Sequence, residues 1–459
     1  MLQVVQASDR ALITEIPTED AAALEAKLQA ASKAFADRDG WLKPHQRMEI
    51  LRRMATLMES RRDHLAMQIA REGGKPLADA IVETTRAIDG VRNAADELRN
   101  FAGKEIPMGL SAASDGRWAF TTKEPIGIVA AISAFNHPLN LIVHQVAPAI
   151  AVGCPVIIKP AGPTPLSCLE FVAIAHEAGL PPAWAQTFIP ESTALAEKLA
   201  TDPRVAFFSF IGSPKVGWML HHKLTPGTRS ALEHGGAAPV IVDRSADLDR
   251  IIEPIVKGGY YHAGQVCVST QRIFVHESLR AAFVDRLTAR VQALRVGDAT
   301  KPDTEVGPLI HPREVERVMS WIDEAKAGGA KVIGGARLSE TTLAPSVVLD
   351  PPADSKLSQD EVFGPTVCVY SYKDLDEAIA RANGVAWSFQ ASVFSQDIDV
   401  ALRAAERLEG SAIMVNELTA FRTDWMPFAG RKQSGYGTGG IPYTMRDMSQ
   451  EKMIVLRRR

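Results

Sequence analysis

The stretch IGIVAAIS, residues 126–133, is a short apolar run of the kind that forms a buried strand. Three similar runs follow it along the chain: PVIIK (155–159), VAFFSF (205–210) and PVIV (239–242). Segments with helical spacing lie between them, over 141–152, 166–178 and 192–201. Strands that alternate with helices in this way predict βαβ units and a largely parallel sheet.

A second alternating region begins near residue 240. It contains a predicted helix over 278–294 and the runs RIFV (272–275), KVIGG, SVVLD, TVCVYSY and SAIMVN (411–416). The first hundred residues are predicted to be helical, because apolar residues over 46–72 keep three- and four-residue spacing until Gly73-Gly74. The pattern therefore predicts two α/β domains that meet near Gly235-Gly236.

Two segments stand apart from this alternation, 107–123 and the last ten residues, QEKMIVLRRR. Both are strand-like, and we expect them to pair with each other or with another subunit. The segment from Pro125 to Ile158 carries no charged residue and is long enough to span a bilayer. Its prolines and polar side chains would break a lipid-facing helix and leave polar groups unsatisfied, so we expect it to be interior, with no membrane as partner.

The composition is that of a soluble globular protein, with 46% hydrophobic and 23% charged residues among 459. A net charge of -3 and a pI near 6.4 give no reason to expect nucleic acid as a partner. Cys154, Cys168, Cys267 and Cys368 are scattered, which indicates neither a disulfide framework nor a metal site. The first residues lack the apolar core of an export signal, so a reducing cytoplasm is expected.

Cys267 lies in the segment YYHAGQVCVSTQR, residues 260–272. A free cysteine is usually a small buried hydrophobe. Glu233 precedes a Gly-Gly pair at a sharp turn, and Asn136 ends a buried strand; alone, each is more typical of a turn residue. Together, the three match what acylation of a thiol by an aldehyde requires: a thiolate, a donor to the oxyanion, and a base that activates water.

A cofactor signal lies in FIGSPKVG, residues 210–217, which follows a hydrophobic strand and opens a helix. Gly212, Ser213 and the first helical amides are therefore candidates for contact with a phosphate. The segment is not GxGxxG, so alone it is a weak signal. Lys159 projects from the end of another strand, where a cation could meet a ribose or a phosphate.

Seven segments fall into one order along the chain: EPIGIVAAISAFNHPLN, IIKPAGPTPLS, FIGSPKVG, LEHGG, GQVC, DEVFGPTVCV and PFAGRKQSG. Together they resemble the aldehyde dehydrogenase superfamily over nearly the whole chain, nearest to its lactaldehyde and phosphonoacetaldehyde dehydrogenase-like branch. The resemblance implies an α/β fold with a Rossmann-like cofactor domain (1–106 and 124–235) and an α/β catalytic domain (236–440). It also implies a small β oligomerisation arm (107–123 and 449–459) and a homodimer or homotetramer.

The resemblance implies a role for each of the three chemical residues. Cys267 is the nucleophile that attacks the aldehyde carbon. The Asn136 amide and the Cys267 backbone N–H hold the oxyanion of the thiohemiacetal. Glu233 activates the water that hydrolyses the resulting thioester.

NAD or NADP is the cofactor that the resemblance implies. The matching positions are Lys159 for the adenosine ribose, Gly212 and Ser213 for the pyrophosphate, Glu361 and Phe363 for the nicotinamide ribose and ring, and Phe135 and Gly236 as further contacts. Many NAD-preferring members carry a glutamate where this chain has Gly162. A carboxylate there binds the ribose hydroxyls and repels a 2′-phosphate, so the choice between NAD and NADP stays open.

Three residues match positions that line the family's substrate tunnel: Arg86, His137 and Arg422. A buried guanidinium without a counter-charge is costly, so two arginines in the tunnel favour a short aldehyde with an anionic tail. The expected substrates are phosphonoacetaldehyde, sulfoacetaldehyde, a semialdehyde or lactaldehyde. Against the phosphonate, Val266 stands where a phosphonate-specific enzyme might supply another arginine. In the alternative interpretation both arginines are exposed or ion-paired, with Asp89 and Asp424 as partners.

Two rival functions stay open at this point. One is a CoA-acylating or acyl-transferring dehydrogenase, which uses Cys267 but releases the thioester to another acceptor. Glu233 argues against it, since a hydrolytic base is pointless when a thiol is the acceptor. The other is a non-catalytic binding protein on the same fold, which the joint presence of Cys267, Glu233 and Asn136 disfavours.

Overall fold

The computed structural model describes residues 1–457, so Arg458 and Arg459 of the predicted arm lie outside the described residues. Within that range the strands, in chain order, are β1 (Leu2–Val5), β2 (Leu12–Ile16), β3 (Glu105–Ile106), β4 (Arg117–Pro125), β5 (Ile128–Ile132), β6 (Val156–Lys159), β7 (Ala185–Thr187), β8 (Val205–Ile211), β9 (Arg229–Glu233), β10 (Ala238–Val242), β11 (Thr270–His276), β12 (Lys331–Gly334), β13 (Ser346–Leu349), β14 (Thr366–Tyr372), β15 (Trp387–Ser388), β16 (Gln390–Phe394), β17 (Ala412–Val415), β18 (Arg431–Lys432), β19 (Gly435–Tyr436) and β20 (Ser449–Arg457).

The helices, again in chain order, are α1 (Ala21–Ala36), α2 (Pro44–Ser60), α3 (Arg62–Gly73), α4 (Leu77–Glu97), α5 (Asn140–Val152), α6 (Leu166–Glu177), α7 (Thr193–Thr201), α8 (Pro214–His222), α9 (Leu248–Tyr260), α10 (Arg280–Gln292), α11 (Pro312–Ala327), α12 (Lys356–Gln359), α13 (Leu375–Asn383), α14 (Ile398–Arg407) and α15 (Ile441–Asp447). Short 3-10 turns lie at Ala112–Ser114, Pro182–Trp184 and Tyr261–Gly264.

The first half of the chain builds a six-stranded sheet in the order β19-β9-β8-β5-β6-β7. Its pairs are parallel except for β19, which runs antiparallel to β9. Alternate residues of β5 face opposite cores: Val129 and Ala131 pack with α2 to α6, while Ala130 and Ile132 pack with α1 and α7. Because both faces are covered, the strand has no polar face, which is why it is continuously apolar in the sequence.

The second sheet has seven strands in the order β12-β13-β14-β11-β10-β16-β17, parallel except for β12. β9 ends at Glu233 and β10 begins at Ala238, so Gly235-Gly236 lies where the chain leaves the first sheet for the second. β19 returns to the first sheet from within the range 236–440. The domain bounds given above stay a prediction.

A third sheet, β20-β4-β3, joins the two segments that stood apart in the sequence. β4 and β20 pair antiparallel over their whole length, from Ser449 opposite Pro125 to Arg457 opposite Arg117. We expected the two segments to pair either with each other or with another subunit, and the structure shows that they pair with each other. β20 is an edge strand, and it exposes the apolar side chains of Met453, Ile454, Val455 and Leu456.

The first hundred residues differ from the predicted helical layout in two places. The stretch 46–72 is two helices, α2 and α3, because the backbone of Arg61 leaves the helical region and its side chain turns to pair with Glu170 and Glu177. Residues before α1 form the antiparallel hairpin β1–β2, with Leu2 opposite Ile16.

No helix among residues 1–457 combines the length and the apolar character needed to cross a membrane.

Candidate active site

The parallel strands of the first sheet end at one edge, and the residues that follow them meet there in a cleft. Asn136 follows β5, Lys159 ends β6, Gly212 follows β8 and Glu233 ends β9. A cavity of about 710 Å³ runs along this edge, and Cys267, which precedes β11 of the second sheet, lines it too. Every predicted site residue except Gly236 contributes to its wall.

The segment that carries Cys267 has an unusual backbone. His262, Ala263 and Gly264 are left-handed in succession, with φ of 49°, 54° and 72°. A side chain on Gly264 would bring its Cβ to 2.1 Å from the carbonyl oxygen of Gly364. For each of the two non-glycine residues this conformation costs about 1–2 kcal/mol, a strain that is typical of functional sites.

Asn136 is buried and lies directly against this segment. Its Nδ2 donates to the carbonyl oxygen of Gln265, 2.9 Å away. The Gln265 side chain is fixed in turn, since its Oε1 accepts from the backbone N–H of Ile310 at 2.9 Å and its Nε2 donates to Pro308 O at 3.2 Å. Asn136 therefore holds one amide N–H in a fixed hydrogen bond and keeps the second for a ligand in the cavity.

Burial and like charge control the titration of the nucleophile and the acid. Burial, and next the nearby carboxylate of Glu233, raises the pKa of the Cys267 thiol well above its usual value, while Arg422 acts in the opposite direction. Burial also raises the pKa of Glu233, again against the effect of Arg422. Oε1 of Glu233 is buried with no hydrogen-bond partner among the described residues, so this carboxyl is open to a water or a proton.

The other half of the cavity has the features of a dinucleotide site. Gly212 and Ser213 turn the chain into α8, whose first unpaired amides and positive dipole end lie at the cavity wall. The Lys159 side chain lies beside them, with its Nζ 3.0 Å from Pro160 O. A Cβ placed on Gly162 would meet no heavy atom within 4 Å, so the wall is open there. These residues fit a nucleotide with two phosphates and a ribose.

The carboxylate of Glu361 packs against Gly235-Gly236, which explains why both positions are glycine. Oε1 of Glu361 accepts from the backbone N–H of Gly236 at 3.0 Å, and a Cβ on Gly235 would lie 1.9 Å from the same carboxylate. Burial raises the pKa of Glu361 to about 8. Gly236 therefore lies behind the wall, where it holds a residue that lines the cavity. Phe135 and Phe363 face each other edge to face, with ring centroids 5.9 Å apart.

The far end of the cavity is polar. Arg86, on α4, forms two hydrogen bonds to Asp424, whereas Asp89 pairs with Arg92. His137 is buried, and its Nε2 lies 3.3 Å from the hydroxyl of Tyr261. Burial, together with the surrounding cations, lowers the pKa of His137 well below its usual value, so the imidazole is neutral at physiological pH.

The sequence profile of the aldehyde dehydrogenase family matches residues 1–454 of this chain. The chain belongs to the aldehyde dehydrogenase family. It is 36% identical over 414 residues to the 3-sulfolactaldehyde dehydrogenase of Priestia aryabhattai, which covers 90% of this chain and 86% of that protein. It is 33% identical to the lactaldehyde dehydrogenase of Methanocaldococcus jannaschii, over 90% of this chain and 88% of that protein.

Solved structures of this aldehyde dehydrogenase family match the fold closely. Aldehyde dehydrogenase 21 from Physcomitrella patens, in complex with the reaction product succinate, matches with a TM-score of 0.96 and 33% identity, over 100% of this chain and 95% of that one. The glyceraldehyde-3-phosphate dehydrogenase GapN from Methanocaldococcus jannaschii, complexed with NADP, matches with a TM-score of 0.95 and 31% identity, over 100% and 99% of the two chains. The predicted family, fold and use of NAD or NADP are confirmed.

Two residues of this dehydrogenase escaped the sequence interpretation as site residues. The sequence predicts Asp424 only as an ion-pair partner, and it indicates His144, on α5, only as one of the polar residues of an interior segment. His144 lies one helical turn beyond Asn140, and both side chains bond to Asp424. Two polar residues at this spacing in a buried helix whose one other polar residue is Gln145 were the available signal, because their shared face must meet a polar partner.

Proposed function

We propose that the chain oxidises a short-chain, anionic aldehyde to its carboxylic acid with NAD or NADP. One observation carries the proposal: a single cavity is lined by Cys267, Asn136 and Glu233, by the residues that fit a dinucleotide, and by Arg86 and Arg422. The candidate substrates are phosphonoacetaldehyde, sulfoacetaldehyde, a semialdehyde and lactaldehyde. The names of the relatives support this range, since they include sulfolactaldehyde, lactaldehyde and glutarate-semialdehyde dehydrogenases.

Cys267 supplies the nucleophile. Once the thiol has lost its proton to water, its sulfur bonds to the aldehyde carbon and the carbonyl π electrons move to the oxygen. The second N–H of Asn136 and the backbone N–H of Cys267 then donate to that negative oxygen. The raised pKa of the thiol means that the resting residue is protonated at neutral pH. The positive charge of Arg422 favours the thiolate and so assists this step.

A nicotinamide cofactor held in this cavity would accept the hydride from the aldehyde carbon, which would leave the acyl group on Cys267 as a thioester. Lys159, Ser213 and the first turn of α8 would hold the dinucleotide, and the rings of Phe135 and Phe363 would contact it from the same cavity wall. Glu233 takes a proton from water, which attacks the thioester carbon. The carbon–sulfur bond breaks, and the acid leaves with Cys267 restored.

A panel of short aldehydes, neutral and anionic, assayed with NAD and with NADP, tests the proposal. We expect reduced cofactor and free acid to form in equal amounts, without CoA. Formation of a CoA ester that requires CoA would support the acyl-transferring alternative instead. Absence of aldehyde-dependent reduction of both cofactors across the panel would reject an enzyme of this class.

We also propose that the sheet β20-β4-β3 joins subunits in a homodimer or homotetramer. The free edge of β20 and its exposed Met453, Ile454, Val455 and Leu456 support this, since a long apolar edge strand is a surface for another chain. Light scattering should give a dimer or tetramer for the wild type and a smaller species for Val455→Glu. A monomeric wild type would contradict the proposal, and Lys452→Glu on the same strand is the control for added charge.

A further inference from the structure

The two arginines at the far end of the cavity differ in how their charge is balanced. Arg86 is paired with Asp424 through two hydrogen bonds, from Nε to Oδ2 at 3.2 Å and from Nη2 to Oδ1 at 2.8 Å. Burial opposes ionisation of Asp424, yet its hydrogen bond from His144 and the nearby cations hold its pKa well below the usual range. Arg86 and Asp424 therefore form a neutral pair.

Arg422 has no carboxylate within 4.0 Å among residues 1–457. Its guanidinium lies on the ring of Phe428, with Cζ 3.5 Å from the centroid, and its Nε is buried with no hydrogen-bond partner. Burial lowers the pKa of Arg422, and among the charged groups around it Glu233 opposes this most strongly, without direct contact. Arg422 is thus a buried cation that stacks on an aromatic face and keeps donors for a ligand.

A short hydrogen-bonded relay, formed by Asp424 and His144, positions Arg422 without neutralising its charge. Nε2 of His144 lies 2.7 Å from Oδ1 of Asp424, so that nitrogen carries the proton and Nδ1 keeps a lone pair. Nη2 of Arg422 donates toward this Nδ1 at 3.4 Å. Burial lowers the pKa of His144 to about 4, so the imidazole adds no charge at physiological pH.

The remaining charges packed around this end cancel. Lys75 pairs with Glu83, and Lys257 pairs with Asp79. Burial holds His262 neutral, as it does His137. The residue before the nucleophile, Val266, is apolar and lines the cavity without adding a cation. Among these described side chains, Arg422 is therefore the cation with no carboxylate in direct contact, and its guanidinium is left to pair with the tail of the substrate; Glu233 acts on it only from a distance.

We propose that this end of the cavity selects an aldehyde whose tail carries a single negative charge, a carboxylate or a sulfonate, and that His144 positions Arg422 to bind it. A phosphate or phosphonate dianion would bring one negative charge more than the cavity compensates, and a neutral chain would leave Arg422 unpaired. The inference rests on the proposed oxidation of a short aldehyde and narrows its substrates to one charge class.

Three aldehydes of similar length test the charge class: succinic semialdehyde as monoanion, glyceraldehyde 3-phosphate as dianion and butanal as neutral chain. We expect kcat/KM for the monoanion to exceed both others by about 10-fold or more, the contribution of one hydrogen bond to a charged group. Equal or higher kcat/KM for the dianion or for butanal would overturn the inference. If none of the three reduces either cofactor, the proposed function fails instead.

Substitutions of the relay test the positioning role. His144→Phe removes both the donor and the acceptor, and it should raise KM for succinic semialdehyde about 10-fold with kcat changed by less than about 3-fold. His144→Gln keeps one donor and one acceptor, and it should restore KM to within about 3-fold of the wild type. Failure of Gln to rescue, or an equal loss for butanal, would assign His144 a structural role only.

Asp424→Asn supplies a test of the opposite sign. It leaves Arg86 without its counter-charge, so this end of the cavity gains one positive charge. The ratio of kcat/KM for glyceraldehyde 3-phosphate over succinic semialdehyde should rise about 10-fold. An unchanged ratio in a variant that retains the wild-type circular dichroism spectrum would refute the charge count.

Discussion

Replacing Gly162 by glutamate should shift the cofactor preference of this dehydrogenase toward NAD. The substitution is sterically clean, because a Cβ at Gly162 meets nothing within 4 Å and its φ is not left-handed. The position follows Lys159 in the loop after β6, at the wall assigned to the adenosine ribose. A carboxylate there can accept from both ribose hydroxyls of NAD, whereas in NADP it faces a 2′-phosphate.

The size of the effect follows from the exposure of the loop. Two like unit charges about 4 Å apart repel by about 4 kcal/mol at an effective dielectric constant of about 20, and by about 1 kcal/mol in water. Gly162 is half-buried, so a value between these limits applies. About 2 kcal/mol corresponds to a loss of about 30-fold in kcat/KM with NADP.

Steady-state rates with saturating aldehyde and varied NADP or NAD measure this directly. We expect the NADP loss to shrink as salt rises, because the repulsion is between partly exposed charges. Gly162→Gln is the matched control, with the same length and no charge, and its NADP loss should stay below about 3-fold. An equal loss with both cofactors, or a Gln variant as poor as the Glu variant, would refute the electrostatic reasoning.

Four further outcomes are expected. Cys267→Ala should abolish turnover and leave cofactor affinity, measured by fluorescence titration, within about 3-fold of the wild type; loss of both would indicate a structural role. Glu233→Gln should slow steady-state turnover by about 10²–10⁴-fold while a rapid burst of reduced cofactor survives, and absence of the burst would contradict its role in hydrolysis. The pKa of Glu233 is raised in the folded protein, so wild-type kcat should rise with pH above the range of an ordinary carboxylate, and this limb should vanish in the Gln variant. Lys75→Met should destabilise the fold by about 3–5 kcal/mol, because Glu83 is left buried without its cation, and Lys75→Met/Glu83→Leu should recover part of the loss in a thermal unfolding scan.

The strand and helix order was predictable because each strand of the first sheet is buried on both faces and each crossing helix has its own apolar pattern. IGIVAAIS contains β5, and the predicted helices 141–152 and 192–201 agree with α5 and α7 to within one residue at each end. The break at Arg61 was not predictable from spacing, since Met58 and Leu65 on either side of it keep the seven-residue interval of a continuous helix. The hairpin β1–β2 was missed for lack of a long apolar run.

The nucleophile, the amide and the carboxyl could be found from local motifs, because each follows a strand that ends at the cleft. The charge balance at the far end of the cavity could not be predicted from local motifs. Arg86 and Asp424 are separated by 338 residues. No local sequence pattern indicates that Arg86 is ion-paired with Asp424 while Arg422 has no carboxylate in contact. Spacing predicts which residues line a cavity, whereas which of them are already paired depends on long-range contacts.

The late position of β19 and β20 in the chain has a consequence for synthesis on the ribosome. β19 covers the edge of β9, and β20 covers β4, so two strands made early wait for partners made last. Until the C-terminal residues emerge, the nascent chain exposes two open strand edges that could capture a neighbour. A chain that stops before β19 would also keep Glu233 next to solvent, and we expect such truncated products to aggregate or be degraded rather than accumulate as inactive enzyme.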